Sequence, residues 1–143
     1  MGKIIKLTAL LFLLSACTNP EENTREEFSL QGSWKVLKIN DNPVPEDLMI
    51  TLNIDSTWRV NGKSACNSYF GNIKKEKDSL SFGQLGMTRM LCDEEKNKWE
   101  NNYTSSLTKP LKITPAGSSS FTLTNETTTI ELKKNKPKNS ISK

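Results

Sequence analysis

Three cysteines and the complete lack of histidine define the chemistry open to this chain of 143 residues. Cys17 closes the run Leu14-Ser15-Ala16-Cys17, behind Lys3, Lys6 and the apolar stretch from Leu7 to Leu14. A positive start, a short apolar core and small residues before the cysteine are what a bacterial signal peptidase accommodates. The pattern predicts residues 1–16 as a lipoprotein signal peptide and Cys17 as the lipid-bearing first residue of the mature chain. A buried strand or a short membrane helix is the competing reading, but the apolar run is well short of the ~20 residues that cross a bilayer. Acyl chains on Cys17 make the membrane a partner. They place the protein in the bacterial cell envelope, at the outer membrane, facing the periplasm or the cell surface.

That compartment is oxidising, so the remaining even pair, Cys66 and Cys92, reads as a disulfide. Closing a loop of this length is worth roughly 3 kcal/mol in the chain-entropy model. Two thiols buried as small apolar groups are the alternative. A metal site is not expected, since two thiols without histidine make half a zinc site and the spacing is not C-x2-C. The missing histidine also removes the Ser-His-Asp, Cys-His and common zinc-hydrolase schemes. Gly62-Lys63-Ser64 is similar to the end of a P-loop, but that motif needs glycine where Thr57 stands. Glu94 and Glu95 diverge at a helix start and suit the helix dipole better than an acid/base pair. The expectation is a protein that is not an enzyme and needs no cofactor.

The formal charge of +4 vanishes when it is located. Lys3 and Lys6 belong to the signal, and Lys133, Lys134, Lys136, Lys138 and Lys143 crowd the C-terminus, while Phe28 to Leu132 holds twelve basic and twelve acidic side chains. No basic face for nucleic acid is visible.

These residues must be positioned by short strands. Residues 17–29 are a lipidated acidic tether, with Glu21, Glu22, Glu26 and Glu27 favouring solvation over packing. Trp34 to Ile39 partly alternates and ends at the turn signal Asn40-Asp41-Asn42-Pro43. Ile50 to Ile54 alternates, Asp55-Ser56 turns, and Thr57 to Val60 returns as a two-residue hairpin that stops at Asn61-Gly62. Asn72 to Lys77 and Ser79 to Leu85 form a second pair around Asp78. Leu111 to Thr114, Phe121 to Thr124 and Thr128 to Leu132 alternate with period two, which implies one wet face. Residues 94–107 break the rhythm: Asp93 is an N-cap, Glu94 and Glu95 sit in the first turn, Trp99, Tyr103 and Leu107 recur every four residues, and Pro110 prevents continuation. The fold class is α+β, a small antiparallel sheet or partly open barrel of about seven or eight short strands, with one helix before the last three. The domain spans 30–132, and 133–143 is a Lys-rich tail expected to be mobile. Such a tail either attracts anionic lipid headgroups weakly or simply solubilises the end.

Several segments together resemble the META-domain family of small, heat-shock-inducible, HslJ-like lipoproteins. Leu30-Gln31-Gly32-Ser33-Trp34 is similar to its L-x-G-x-W opening. Val60-Asn61-Gly62 leading to Cys66-Asn67-Ser68-Tyr69-Phe70-Gly71 is similar to its v-x-G-x-x-G-C-N-x-y-x-G segment. Leu80 to Leu85 followed by Met87-Thr88-Arg89-Met90-Leu91-Cys92 is similar to its l-x-f-x-x-l-x-x-T-x-M-x-C segment. Ala65 departs from the family's glycine before Cys-Asn, which predicts a more ordinary backbone there than in its relatives. Leu91 departs where a small residue is usual. The motif residues Gly32, Trp34, Gly62, Asn67, Tyr69, Gly71, Thr88, Arg89 and Met90 are read as fold-determining rather than ligand-binding. Asn67 satisfies backbone groups of an irregular turn, Arg89 lies over an apolar surface or pairs with a carboxylate, and Trp34, Trp58 and Trp99 bury large areas.

The resemblance implies envelope stress, drug tolerance and secretion phenotypes rather than a defined reaction. The expected role is therefore non-enzymatic: an envelope lipoprotein that binds or shields an unidentified envelope protein in heat or drug tolerance. The alternatives are a lipocalin-like carrier of a small apolar ligand, since Gly32-Ser33-Trp34 also resembles the lipocalin G-x-W, and an inhibitor of a lysozyme or protease. Lipocalins place their helix after the strands, which favours the first reading.

Overall fold

A computed structural model describes residues 28–136 of the chain. The segment predicted as a signal peptide, Cys17 and all of the predicted tether before Phe28 lie outside the described residues, as does the predicted tail from residue 137.

Ten strands and one helix follow in order: β1 (Gly32–Ile39), β2 (Asn42–Pro43), β3 (Thr51–Ile54), β4 (Arg59–Lys63), β5 (Ser68–Glu76), β6 (Ser79–Phe82), β7 (Gly86–Met87), α1 (Glu94–Ser106), β8 (Leu111–Pro115), β9 (Ser120–Thr124) and β10 (Thr129–Lys134). Every pairing is antiparallel, in the order β1-β3-β4-β5-β6-β8-β9-β10. β10 then returns to β1 over Trp34↔Lys134 to Ile39↔Ile130. The barrel is therefore closed by eight strands, not partly open, and β2 and β7 are short additions beside β1 and β5. Closure satisfies the backbone groups of both would-be edge strands, which are otherwise templates for aggregation. The α+β class and the place of the helix before the last three strands stand.

Period two in the sequence becomes inside and outside here. Trp34, Val36, Leu52, Tyr69, Leu80, Leu111, Phe121, Leu123, Ile130 and Leu132 are all buried in one core. An eight-stranded barrel is just wide enough for side chains to fill or for one small ligand, and these side chains cluster inside it. Each such burial contributes about 1.5–3 kcal/mol before the entropy of ordering. Trp34 is central. Its ring meets Phe121 edge-on at 4.6 Å between centroids, and its Nε1 donates to the Leu30 carbonyl at 2.8 Å. Trp58 and Trp99 are only half-buried at the core's edge, less than their size suggests.

The barrel has two unlike mouths. At one, the connections are tight turns: 55–58, 77–78 and 116–119. Both ends of the described chain also meet there, with Phe28 packed on Trp34 and Phe121 and the Asn135 N–H donating to the Ser33 carbonyl. Phe28 thus belongs to the domain rather than the tether, and β10 carries Lys133 and Lys134 into the stretch expected to be tail. At the other mouth lie the two long connections, 40–50 and 83–110 with the helix, beside the short ones 64–67 and 125–128.

Turn chemistry explains where the strands end. Asn40 and Asp41 both take positive φ, 49° and 64°, making the two-residue turn with both central residues left-handed that twisted hairpins favour. The 55–58 turn differs from the two-residue hairpin expected. Asp55 pairs with Arg59 around three residues, and Trp58 is left-handed with φ 61°. The Asp55 carboxylate holds this loop by accepting from the Thr57 N–H and hydroxyl and the Arg59 N–H at 2.8–3.0 Å. β4 does not stop at Asn61-Gly62 either, but runs to Lys63, because Gly62 passes directly over β3. A Cβ on Gly62 would collide with the Thr51 carbonyl and the Tyr69 hydroxyl. β5 likewise begins four residues earlier than the alternation indicated, at Ser68, and β6 ends at Phe82.

Candidate functional site

The helix is the lid of the second mouth. Asp93 caps it by accepting from the Lys96 N–H at 2.9 Å, and Leu107 ends it as the C-cap. Tyr103 and Leu107 enter the core and Trp99 packs at its margin, so the stripe closes the barrel's end rather than lying on a sheet face. Tyr103 and Tyr69 meet hydroxyl to hydroxyl at 2.8 Å, and Tyr69 donates to the Thr51 carbonyl at 2.7 Å. Among the described residues no buried side-chain nitrogen or oxygen is left without a hydrogen-bond partner. Burial holds both phenols above their ordinary range.

Beside this pair lies the densest polar cluster of the described molecule. Glu100, one turn before Tyr103, reaches down to the 64–67 connection. It accepts from the Ser64 hydroxyl at 2.6 Å, the Asn67 N–H at 2.7 Å and the Asn67 side-chain amide at 2.9 Å. Partial burial pushes its carboxyl upward. The bonds from Ser64, from Asn67 and from the Cys66 backbone outweigh that and hold it below the ordinary value. Asn67 is itself buried. Its Oδ1 accepts from the Met90 N–H at 2.6 Å and the Thr88 hydroxyl at 3.0 Å, and Thr88 Oγ1 accepts from the Ser68 N–H. Asn67 thus joins three chain segments: the 64–67 connection, the 88–90 strap and the helix.

The disulfide lies on the same seam. Cys66 and Cys92 are bridged with Cα atoms 6.0 Å apart, so of the two readings the bond is the one realised. Directly before it, Ala65 adopts φ 81°. The expectation of an ordinary backbone at Ala65 is therefore wrong. The bond and the Asn67 cluster demand the left-handed turn whether or not the residue is glycine. The Ala65 N–H donates to the Met49 carbonyl at 3.1 Å, fixing a fourth segment.

The other motif residues are distributed through the fold. Trp34 and Tyr69 are core. Gly32, at φ 131°, opens β1, and Gly71 leaves room for Leu85, whose side chain a Cβ would meet. Thr88, Arg89 and Met90 are exposed on the strap. Arg89 neither covers the core nor joins an ion pair among the described residues. Glu100 was not singled out by sequence reasoning. Its one signal is its place three residues before Tyr103 on the inward side of the helix.

Met49, Met90 and Leu91 stand on the outside of this seam, 61%, 54% and 99% exposed. Among the described residues no group of three or more His, Cys, Asp or Glu is placed to hold a metal ion.

The seam's Asn67, Thr88 and paired cysteines are the segments that resembled a known family, and comparison decides the matter. The META domain model matches residues 26–137. The chain belongs to the META domain family. No curated protein matches it. A solution NMR structure of a protein from Burkholderia xenovorans is similar to this META domain at TM-score 0.62 and 24% identity, covering 73% of this chain and 82% of that one. A second NMR structure is similar at TM-score 0.60 and 22% identity, covering 77% and 93%. At that identity the likeness concerns the fold, here the closed barrel with its helical lid.

Proposed function

We propose that this META domain is held to the bacterial envelope by acyl chains on Cys17 and acts without catalysis, binding or shielding an envelope protein through the seam at its lid. One observation carries this reading. Met90 and Leu91 are exposed apolar side chains on a backbone fixed by Asn67 and by the bridge at Cys92. Apolar groups held in place lose little freedom on association, and the long connections of a rigid scaffold are where binding residues concentrate. The partner's chemistry follows: a protein surface with an apolar cleft that accepts the Met90-Leu91 tip.

A photo-crosslinking residue at Leu91 in the native cell tests this. One envelope protein should be captured, capture should be lost in Met90→Asp, and cells lacking the gene should survive heat or envelope-active drugs less well. No discrete adduct together with unchanged survival overturns it. Intact-mass measurement of the membrane-extracted protein reads the acylation of Cys17 directly.

The lipocalin-like carrier has the eight-stranded barrel in its favour, while the packing of the inward side chains into one core supports the first reading. Native mass spectrometry with a co-purifying apolar ligand would revive it.

A further inference from the structure

Charge is divided between the two mouths. At the mouth of tight turns, Arg59, Lys75, Lys77, Lys133, Lys134 and Lys136 are exposed and in no ion pair among the described residues. Of the described carboxylates there, Asp55 is held by its own loop, Glu76 pairs with Lys74, and Asp78 lies 4.0 Å from Lys112, both exposed. Phe28 and Trp58, both half-buried, line a cleft together with Leu30, Ile113 and Pro115, with Lys75, Lys77 and one carboxylate, Asp78, at its rim. The lid mouth carries a weaker, opposite balance: Asp41, Glu46, Asp47, Glu94, Glu95 and Glu126 are exposed around it against Lys63, Arg89, Lys98 and Lys109. The neutral balance of the sequence therefore conceals a polarised domain.

Both ends of the described chain leave from the basic mouth. Ten residues separate Cys17 from Phe28, a reach of at most about 40 Å. We propose that this mouth is a docking face for the anionic headgroups of the bilayer that holds the protein, which rests on the reading of Cys17 as acylated. Cations next to a lipid anchor supply a second, electrostatic hold on the membrane, and half-buried aromatics suit the headgroup level. Docking in this sense points the acidic lid and the Met90-Leu91 tip away from the membrane, toward a partner in the aqueous space. Because screening ends the attraction within about 10 Å at ordinary salt, the face works by contact and not at the tether's full length.

The test uses the chain from residue 18 onward, which contains every strand, the lid and the whole core, sedimented with vesicles of equal parts phosphatidylglycerol and phosphatidylcholine. It should bind these, release in high salt, and ignore pure phosphatidylcholine. Lys75→Gln/Lys77→Gln/Lys136→Gln should weaken binding by roughly tenfold or more, while the charge-matched Lys63→Gln/Lys98→Gln/Lys109→Gln, at the lid end, should not. Circular dichroism melts verify that both triples are folded. Equal losses in the two triples, or none in the first, overturn the proposal. Acylation of Cys17 is read separately by mass. Failed docking with an acylated Cys17 sinks the face and leaves the anchor, and intact docking with an unmodified Cys17 does the reverse.

Discussion

At the scale of single residues, Glu100 and Ala65 show how a fixed tertiary seam overrides local preference. Glu100 accepts three hydrogen bonds, two of them from the Asn67 backbone and side-chain amides and one from the Ser64 hydroxyl. In Glu100→Gln one acceptor oxygen becomes a donor facing other donors. Urea unfolding at pH 7 should show a loss of about 1–2 kcal/mol, after allowance for partial exposure. The pH dependence follows from the same contacts. The folded carboxyl titrates below the ordinary 4.5, so between those two values the unfolded chain binds the extra proton and stability rises with pH. The contribution is complete above the ordinary value and is lost as pH falls through the depressed one. Wild-type stability should fall more steeply than that of Glu100→Gln on acidification from pH 5 to 3, and equal slopes would show that the carboxylate is not held as described. At Ala65 the left-handed backbone costs a residue with a Cβ on the order of 1–2 kcal/mol, partly offset by the greater unfolded-state freedom of glycine. Ala65→Gly should therefore raise the urea midpoint, by about 0.5–1 kcal/mol in free energy.

At the scale of elements, the strap 88–92 has few backbone bonds of its own; Asn67 and the disulfide secure it, with the Thr88 N–H on the Ser68 carbonyl and the Asn97 side-chain amide on the Cys92 carbonyl at its two ends. Cys66→Ser/Cys92→Ser should cost about 3 kcal/mol, and native-state hydrogen exchange should show the Met90 and Thr88 amides opening far more readily than those of β1 or β10. Unchanged exchange at Met90 would mean that Asn67 alone holds the strap. The lid itself is positioned by Asp93 and its stripe, both visible in the sequence. Its polar anchor Glu100 was not, because a glutamate on a helix is ordinarily solvated and only the proximity of residue 67 gives this one a role.

For the molecule as a whole, the deciding feature is that the inward side chains of the barrel are buried in one core. Leu123, Leu80 and Trp34 are buried at its centre, so an apolar fluorescent probe should bind the folded wild type no better than a tightly packed control. Leu123→Ala should lose about 2–5 kcal/mol through the cavity it opens. Probe binding to the wild type at native pH would instead indicate an interior able to open for a ligand.

The sequence by itself determined the alternation of the strands, the helix with its cap and stripe, the family, and the residues of the Asn67 and Cys66/Cys92 motif, since each is written in local spacing. Closure of the barrel was not legible: the β10–β1 pairing joins segments about a hundred residues apart, and alternation reads the same in an open sheet and a closed one. The extension of β4 through Gly62, the turn at Ala65, the Glu100 anchor and the sorting of charge between two mouths were likewise decided in three dimensions. Each depends on which distant backbone or side chain lies across the barrel. A one-dimensional pattern records which faces are apolar but not what they meet.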